Sequence, residues 1–162
     1  MLGKTLITHQ TGSLGKRCNE VFLVEKIYLR KELYLSLTLD RSKGTMAIIT
    51  SEKGGVNIED VEPSKMHKFF FELGEDVPSE VLAEIGKSYS LDEPLTDQIK
   101  QTVKKLYKCF VESDATLIEI NPLGVTIDGQ VVLCDQKFNI DDNSSYRQKA
   151  LFMQEDLTQV LR

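Results

Sequence analysis

Strands, then helices, then strands again: the order of hydrophobic patterns along this 162-residue chain predicts an α+β domain rather than regular βαβ winding. Three observations carry that reading. Leu33, Leu35, Leu37 and Leu39 alternate with Tyr34, Ser36 and Thr38 at the two-residue period of a half-buried strand. Leu95, Ile99, Val103, Leu106 and Phe110 recur at spacings of three and four, which marks one face of a helix. Asp128-Gly129, set between ATLIEI (115–120) and VVLCD (131–135), is a strong hairpin signal. With 41% apolar and 28% charged residues, a chain of this length can bury one ordinary core.

From the N-terminus, Val21–Glu25 (VFLVE) is an apolar run of strand length. Leu33–Leu39 follows as the clearest strand. Arg41-Ser42-Lys43-Gly44 supplies a turn and Met46–Ile49 returns, so residues 31–50 form an antiparallel hairpin, interrupted after it by Gly54-Gly55. A short helix runs from about Ser79 to Gly86 and a longer one from about Thr96 to Ser113. On the longer helix Lys100, Lys104, Lys105 and Lys108 occupy the side away from the apolar stripe and form a solvated face. The second hairpin, 115–135, comes next; residues 139–148 are polar and read as loop, and 149–158 as a short helix or a fraying end.

A net charge of −5 argues against a nucleic-acid binder, which needs clustered excess Lys and Arg. No apolar run approaches the roughly 20 residues that span a bilayer, so no membrane partner is expected. The N-terminal MLGKTLITHQTG lacks the apolar core of a secretory signal. Cys18, Cys109 and Cys134 are odd in number and far apart, which fits reduced thiols better than a disulfide framework. Neither His9 nor His67 sits at ligand spacing from a Cys or a second His, so the sequence supports neither a structural zinc site nor catalysis by a resident histidine.

The stretch with chemistry in it is Glu119-Ile120-Asn121-Pro122 together with Asp135-Gln136-Lys137. A three-residue turn, Ile127-Asp128-Gly129 with Gly129 in the left-handed position, puts Asn121 opposite Asp135 and Glu119 opposite Lys137. All four then share one face, and Ile118, Ile120, Val132 and Cys134 project from the other, toward the core. A two-residue turn would separate Asn121 from Asp135 onto opposite faces. A carboxylate and an amide oxygen side by side suit Mg²⁺, a hard cation that keeps several waters and takes phosphate oxygens. The same residue types also make an ordinary wet sheet face with cross-strand charge pairs.

ITHQTG (7–12), RKELYLSLTLDRS (30–42), SEKGGVNIEDV (51–61), DATLIEINPL (114–123) and DNSSYRQK (142–149) resemble, in order and over nearly the whole chain, the β subunits of succinate-CoA ligase, enzymes of ATP-grasp type. The resemblance implies a partial ATP-grasp domain, an antiparallel sheet with hairpins packed against helices, with 1–162 as its central and C-terminal part and the ligase's C-terminal domain absent. It implies reversible joining of succinate to coenzyme A, coupled to ATP, with GTP as the other candidate nucleotide. The phosphoryl group would pass through a phosphohistidine on a partner α subunit. Carried over by motif, Asn121 of EINP and Asp135 match Mg²⁺ ligands, and Glu119 matches a glutamate that faces the incoming histidine. Glu25, ending LVE, matches the hinge whose backbone reads the base, and Glu32 of RKEL a nucleotide-contacting glutamate. The glycines of GGVxIE match a loop brought near phosphates or partner.

The chain departs from the pattern at Gln136, where a small residue is usual, and in a shortened Val61–Lys68 segment. The lysine and glycine-rich phosphate loop of the first ATP-grasp portion are missing from it, so alone it is expected not to form succinyl-CoA. An ATP-grasp ligase acting on malate or acetate, and a noncatalytic partner-binding module, are the rival readings. The hinge VEKIYLRKE resembles ADP-forming eukaryotic β subunits more than GDP-forming ones, which implies ATP and the mitochondrial matrix or a related organelle rather than a bacterial cytoplasm.

Overall fold

The computed structural model describes residues 1–8, 11–55, 58–74 and 76–154, which puts His9 and residues 155–158 of the predicted 149–158 segment outside the described residues. The chain divides into two compact units, one of residues 28–149 and one of 1–27 with the described residues after 149. In the smaller unit β1 (Thr5–Leu6) pairs antiparallel with β2 (Lys16–Arg17). The VFLVE run is not a strand. Phe22 and Leu23 are 91% and 90% exposed, and residues 21–28 lie in no element. An apolar run becomes a strand only where a neighbour takes up its N–H and C=O groups, and among the described residues none pairs with this one.

The larger unit is a sheet with helices on one face. Its strands are β3 (Leu29–Asp40), β4 (Thr45–Ser51), β5 (His67–Phe71), β6 (Ala115–Thr126), β7 (Val131–Leu133) and β8 (Gln136–Ile140). They are ordered β5-β4-β3-β6-β7, with β8 pairing β6 beyond β7, and every pairing is antiparallel. The β3–β4 turn forms because Asp40 Oδ1 accepts the Ser42 N–H at 3.0 Å and the Ser42 hydroxyl at 2.6 Å, and Gly44 takes φ +65°. β5 was not predicted; its HKFFF is too short and too uniform to show a period, and it sits at the sheet edge beside β4.

Between β5 and β6 lie α1 (Ser79–Ser88) and α2 (Glu93–Glu112). α2 starts where the Asp92 carboxylate accepts the Leu95 N–H at 3.3 Å, with Pro94 in the first turn. Its five predicted stripe residues are all at most 7% exposed and pack on Leu35, Leu37, Ile118 and Ile120 of the sheet. Full burial of each such side chain stabilises by roughly 1.5–3 kcal/mol.

The core face of β6 changes parity along the strand. Ile118 and Ile120 are buried in the core before Asn121, and Leu123 and Val125 after it. The β3–β6 pairing shifts by one residue between Leu33 and Leu35 at the same place, and a one-residue shift exchanges the faces of everything beyond it. This corrects the expectation for Val132 and Cys134. A Cβ built on Gly124 would lie 3.1 Å from Val132 Cγ2 and 2.9 Å from Cys134 Sγ, so both stand on the face away from the core, while Val131 packs against it. The predicted loop at 139–148 begins only after Ile140, because β8 continues pairing β6 to that point. A short 3₁₀ turn, Asp142–Ser144, and α3 (Lys149–Phe152) follow.

Candidate functional site

The site rests on the β6–β7 turn. Thr126 donates its N–H to the Gln130 carbonyl at 2.9 Å, Gly129 donates to the Thr126 carbonyl at 3.2 Å, and Gly129 has φ +79°. Residues 127–129 therefore form the three-residue turn, and its register runs through Leu123 opposite Leu133 to Ile120 opposite Gln136 and Glu119 opposite Lys137. Between those pairs the Asn121 N–H donates to the Asp135 carbonyl at 3.1 Å. Asn121 and Asp135 are thus direct cross-strand neighbours. The Asn121–Pro122 peptide is cis.

Glu119, half-buried, lies between Ser36 of β3 and Lys137 of β8. Burial pushes the nearby Tyr34 phenol above its ordinary pKa, and the Glu119 carboxylate adds to that shift. Glu32 stands opposite Gly124 on β3. A Cβ on Gly55 would overlap the Glu32 carboxylate, and the Gly55 N–H donates to Asn121 Oδ1 at 2.6 Å, so Glu32, Gly55 and Asn121 converge. Burial also raises the pKa of the Cys134 thiol, with the Glu32 carboxylate contributing. Glu25 belongs to the smaller unit, exposed and outside any strand.

The donor set fits Mg²⁺ rather than a softer metal: an amide oxygen on β6 and, in the link between β7 and β8, an exposed carboxylate. Among the described residues no group of three or more His, Cys, Asp or Glu side chains could hold a metal alone. The remaining coordination would fall to water and phosphate, which is how Mg²⁺ is usually held.

Two features of this region were not read from the sequence. One is the Gly55–Asn121 bond, which joins residues 66 apart. The other is the role of Tyr146-Arg147-Gln148. Arg147 grips Asp114 with Nε at 2.8 Å and Nη2 at 2.6 Å, Gln148 Nε2 donates to Asp114 Oδ2 at 2.7 Å, and Arg147 also bonds the Tyr146 hydroxyl. Asp114 takes φ +53° at the α2–β6 junction, a conformation in which Asp is more tolerated than most residues. The segment after β8 is thereby tied to the start of β6.

A family model described as an ATP-grasp domain matches residues 1–125. The chain belongs to the ATP-grasp family. Among curated proteins it is 42% identical to the hydrogenosomal ADP-forming succinate-CoA ligase subunit beta of Trichomonas vaginalis, over 99% of this chain and 40% of that one. It is 40% identical to the mitochondrial subunit of Columba livia, over 98% of this chain and 39% of that one. It is 38% identical to the subunit of the bacterium Cupriavidus necator, over 97% of this chain and 41% of that one. The chain spans about two-fifths of the length of these relatives. ATP citrate lyase from Methanothrix soehngenii, solved with citrate and coenzyme A, shares the fold with a TM-score of 0.60 at 17% identity, over 96% of this chain and 34% of that one. The ATP-grasp sheet expected from the resemblance is the sheet described above.

Proposed function

We propose that this chain carries part of the nucleotide and Mg²⁺ site of a succinate-CoA ligase β subunit. The complete subunit, with an α subunit that carries a phosphorylatable histidine, would reversibly join succinate and coenzyme A coupled to ATP. The observation that supports this most is the pairing of Asn121 with Asp135, two residues from Glu119, in a chain about 40% identical to such subunits. The relatives include a hydrogenosomal, a mitochondrial and a bacterial subunit, and an organelle matrix is the compartment we favour. The same reading takes 1–162 as the central and C-terminal part of the ATP-grasp domain.

Asn121 Oδ1 and the Asp135 carboxylate would hold the metal. Bound there, Mg²⁺ offsets charge on phosphate oxygens during phosphoryl transfer. Glu119 would accept a hydrogen bond from one imidazole N–H of the incoming histidine, turning the other nitrogen toward the phosphoryl group. Ser36 and Lys137 on the adjoining strands fix the backbone from which Glu119 projects. Glu32 would contact the nucleotide, and the backbone at Glu25 would read its base.

Asp135→Asn in the complete subunit, assembled with its α subunit, is expected to lower turnover on the order of hundredfold, equivalent to about 2.7 kcal/mol of transition-state stabilisation. Asp135 is exposed, so the melting temperature should hold. Steady-state kinetics against Mg²⁺ concentration measure it, and an unchanged rate with unchanged Mg²⁺ dependence would remove the metal assignment.

A further inference from the structure

Three strands line up side chains across the face of the sheet that points away from the helices. Glu119 of β6 stands opposite Ser36 of β3 on one side and opposite Lys137 of β8 on the other. Directly opposed residues of antiparallel strands project from the same face, and the flanking Ile118 and Ile120 turn into the core, so Ser36, Glu119 and Lys137 form one row on the other face. Exposure rises along the row. Ser36 is 1% exposed, Glu119 is half-buried and Lys137 is exposed, so a small ligand reaches Glu119 from the Lys137 end. Lys137 is also two residues beyond Asp135, a separation of about 7 Å along an extended chain.

The charges on this face need a cation for the ligand proposed above. A phosphoryl group in transfer carries negative charge on its oxygens, and Glu119 and Asp135 both bring carboxylates near it. Mg²⁺ at Asn121 and Asp135 offsets the repulsion on one side. Lys137, opposite one carboxylate and two residues from the other, is in register to offset it on the other side. We infer that Lys137 is a further catalytic residue: its side-chain nitrogen donates to an oxygen of the phosphoryl group being transferred, beside Glu119. The inference rests on the nucleotide and Mg²⁺ reading proposed above. In the transfer, the bond from phosphorus to the ADP oxygen breaks as the bond from phosphorus to the histidine nitrogen forms, and Lys137 neither gives up nor takes a proton. A compact charge with three donors on a flexible stem suits an oxygen that shifts during such a step. As a mere cross-strand partner of Glu119 on a wet face, Lys137 would add little to stability.

The test uses the complete β subunit assembled with its α subunit. Calorimetry with ADP and with a nonhydrolysable imido analogue of ATP, each with Mg²⁺, reads contact with the third phosphate separately from turnover. Lys137→Met is expected to weaken the analogue by about tenfold or more and ADP by less than about twofold, the loss of one charge-assisted hydrogen bond. Single-turnover phosphorylation of the α-subunit histidine by ATP should slow on the order of hundredfold, as when one donor to developing charge is removed. Lys137→Arg keeps the charge and should recover most of both losses. In a Glu119→Gln background Lys137→Met should still weaken the analogue, because the contact is with phosphate. If Lys137→Met binds both nucleotides as the parent does, or if its effect disappears in the Glu119→Gln background, the inference is overturned and the functional reading stands. If the parent assembly binds neither nucleotide, the functional reading falls and takes the inference with it. Should Lys137→Met fail to assemble, Lys137→Gln is read by the same two titrations, and equal loss of ADP and analogue would overturn the inference.

Discussion

The two halves of β6 do different work with the same backbone. From Ala115 to Asn121 the strand mixes buried and half-buried residues, carries Glu119 and Asn121 on its open face, and pairs with β8, whose residues 136–139 are exposed. From Leu123 to Thr126 all four residues are buried, and the partner is β7. Gln98 of α2 clasps the turn and β7 beside that second half through its side chain, donating to the Gly129 carbonyl at 3.0 Å and accepting the Val131 N–H at 2.9 Å. The lesson is a division of labour within one strand. Half-buried polar residues on one half can be positioned accurately because the adjoining half, packed on both faces, fixes the register for both.

If the second half is the anchor, truncating it should cost stability far more than changes on the open half. Leu123→Ala, at a fully buried site, is expected to destabilise by about 2–5 kcal/mol in urea unfolding. A loss under about 1 kcal/mol would show that the register is held elsewhere. Gly124→Ala tests the outer face of the same half. Its new Cβ would meet Leu29 Cδ2 at 2.6 Å, Cys134 Sγ at 2.9 Å and Val132 Cγ2 at 3.1 Å, so about 1–3 kcal/mol should be lost. Adding Cys134→Ala should recover part of it, since neighbouring substitutions are coupled. No recovery would mean that Leu29 alone sets the crowding.

The difference between the halves also separates what could be read in the sequence from what could not. The Asn121–Asp135 pairing was legible because a hairpin's register follows from its turn, and Asp128-Gly129 marks that turn locally. The long helix was legible because its stripe is local too. The face of Cys134 was not. It depends on a one-residue shift against β3, a strand some 90 residues away, and local alternation carries no trace of it. VFLVE and LYLSL look equally strand-like, yet only the second has neighbours on both edges. Gly54-Gly55 was recognisable as a turn, while its contacts with Leu33 and Asn121 belong to the tertiary fold. Of the candidate residues, Glu32, Glu119, Asn121 and Asp135 fall on β3, β6 and the link between β7 and β8, whereas Glu25 falls in the smaller unit.

The mildest expected effect concerns the start of the open half, where Asp114 leads into β6. Hydrogen bonds from Arg147 and then from Gln148 hold its carboxyl at a pKa of about 2, below the ordinary 3.8. A carboxyl whose pKa is depressed on folding stabilises the fold above its unfolded pKa and loses that contribution as pH falls through the folded value. For Asp114 the window runs from about 4 down to about 2. Asp114→Asn keeps a side chain that tolerates positive φ and still accepts one hydrogen bond, so the turn itself should survive. The variant should therefore be less stable than the parent at pH 5, and the gap should narrow steadily as the pH is lowered toward 2. Urea unfolding of both chains across that range measures it. A gap that stays constant with pH would mean that Arg147 meets Asp114 as a spacer rather than as a charge, and that the open half of β6 is held by its pairing with β3 and β8 alone.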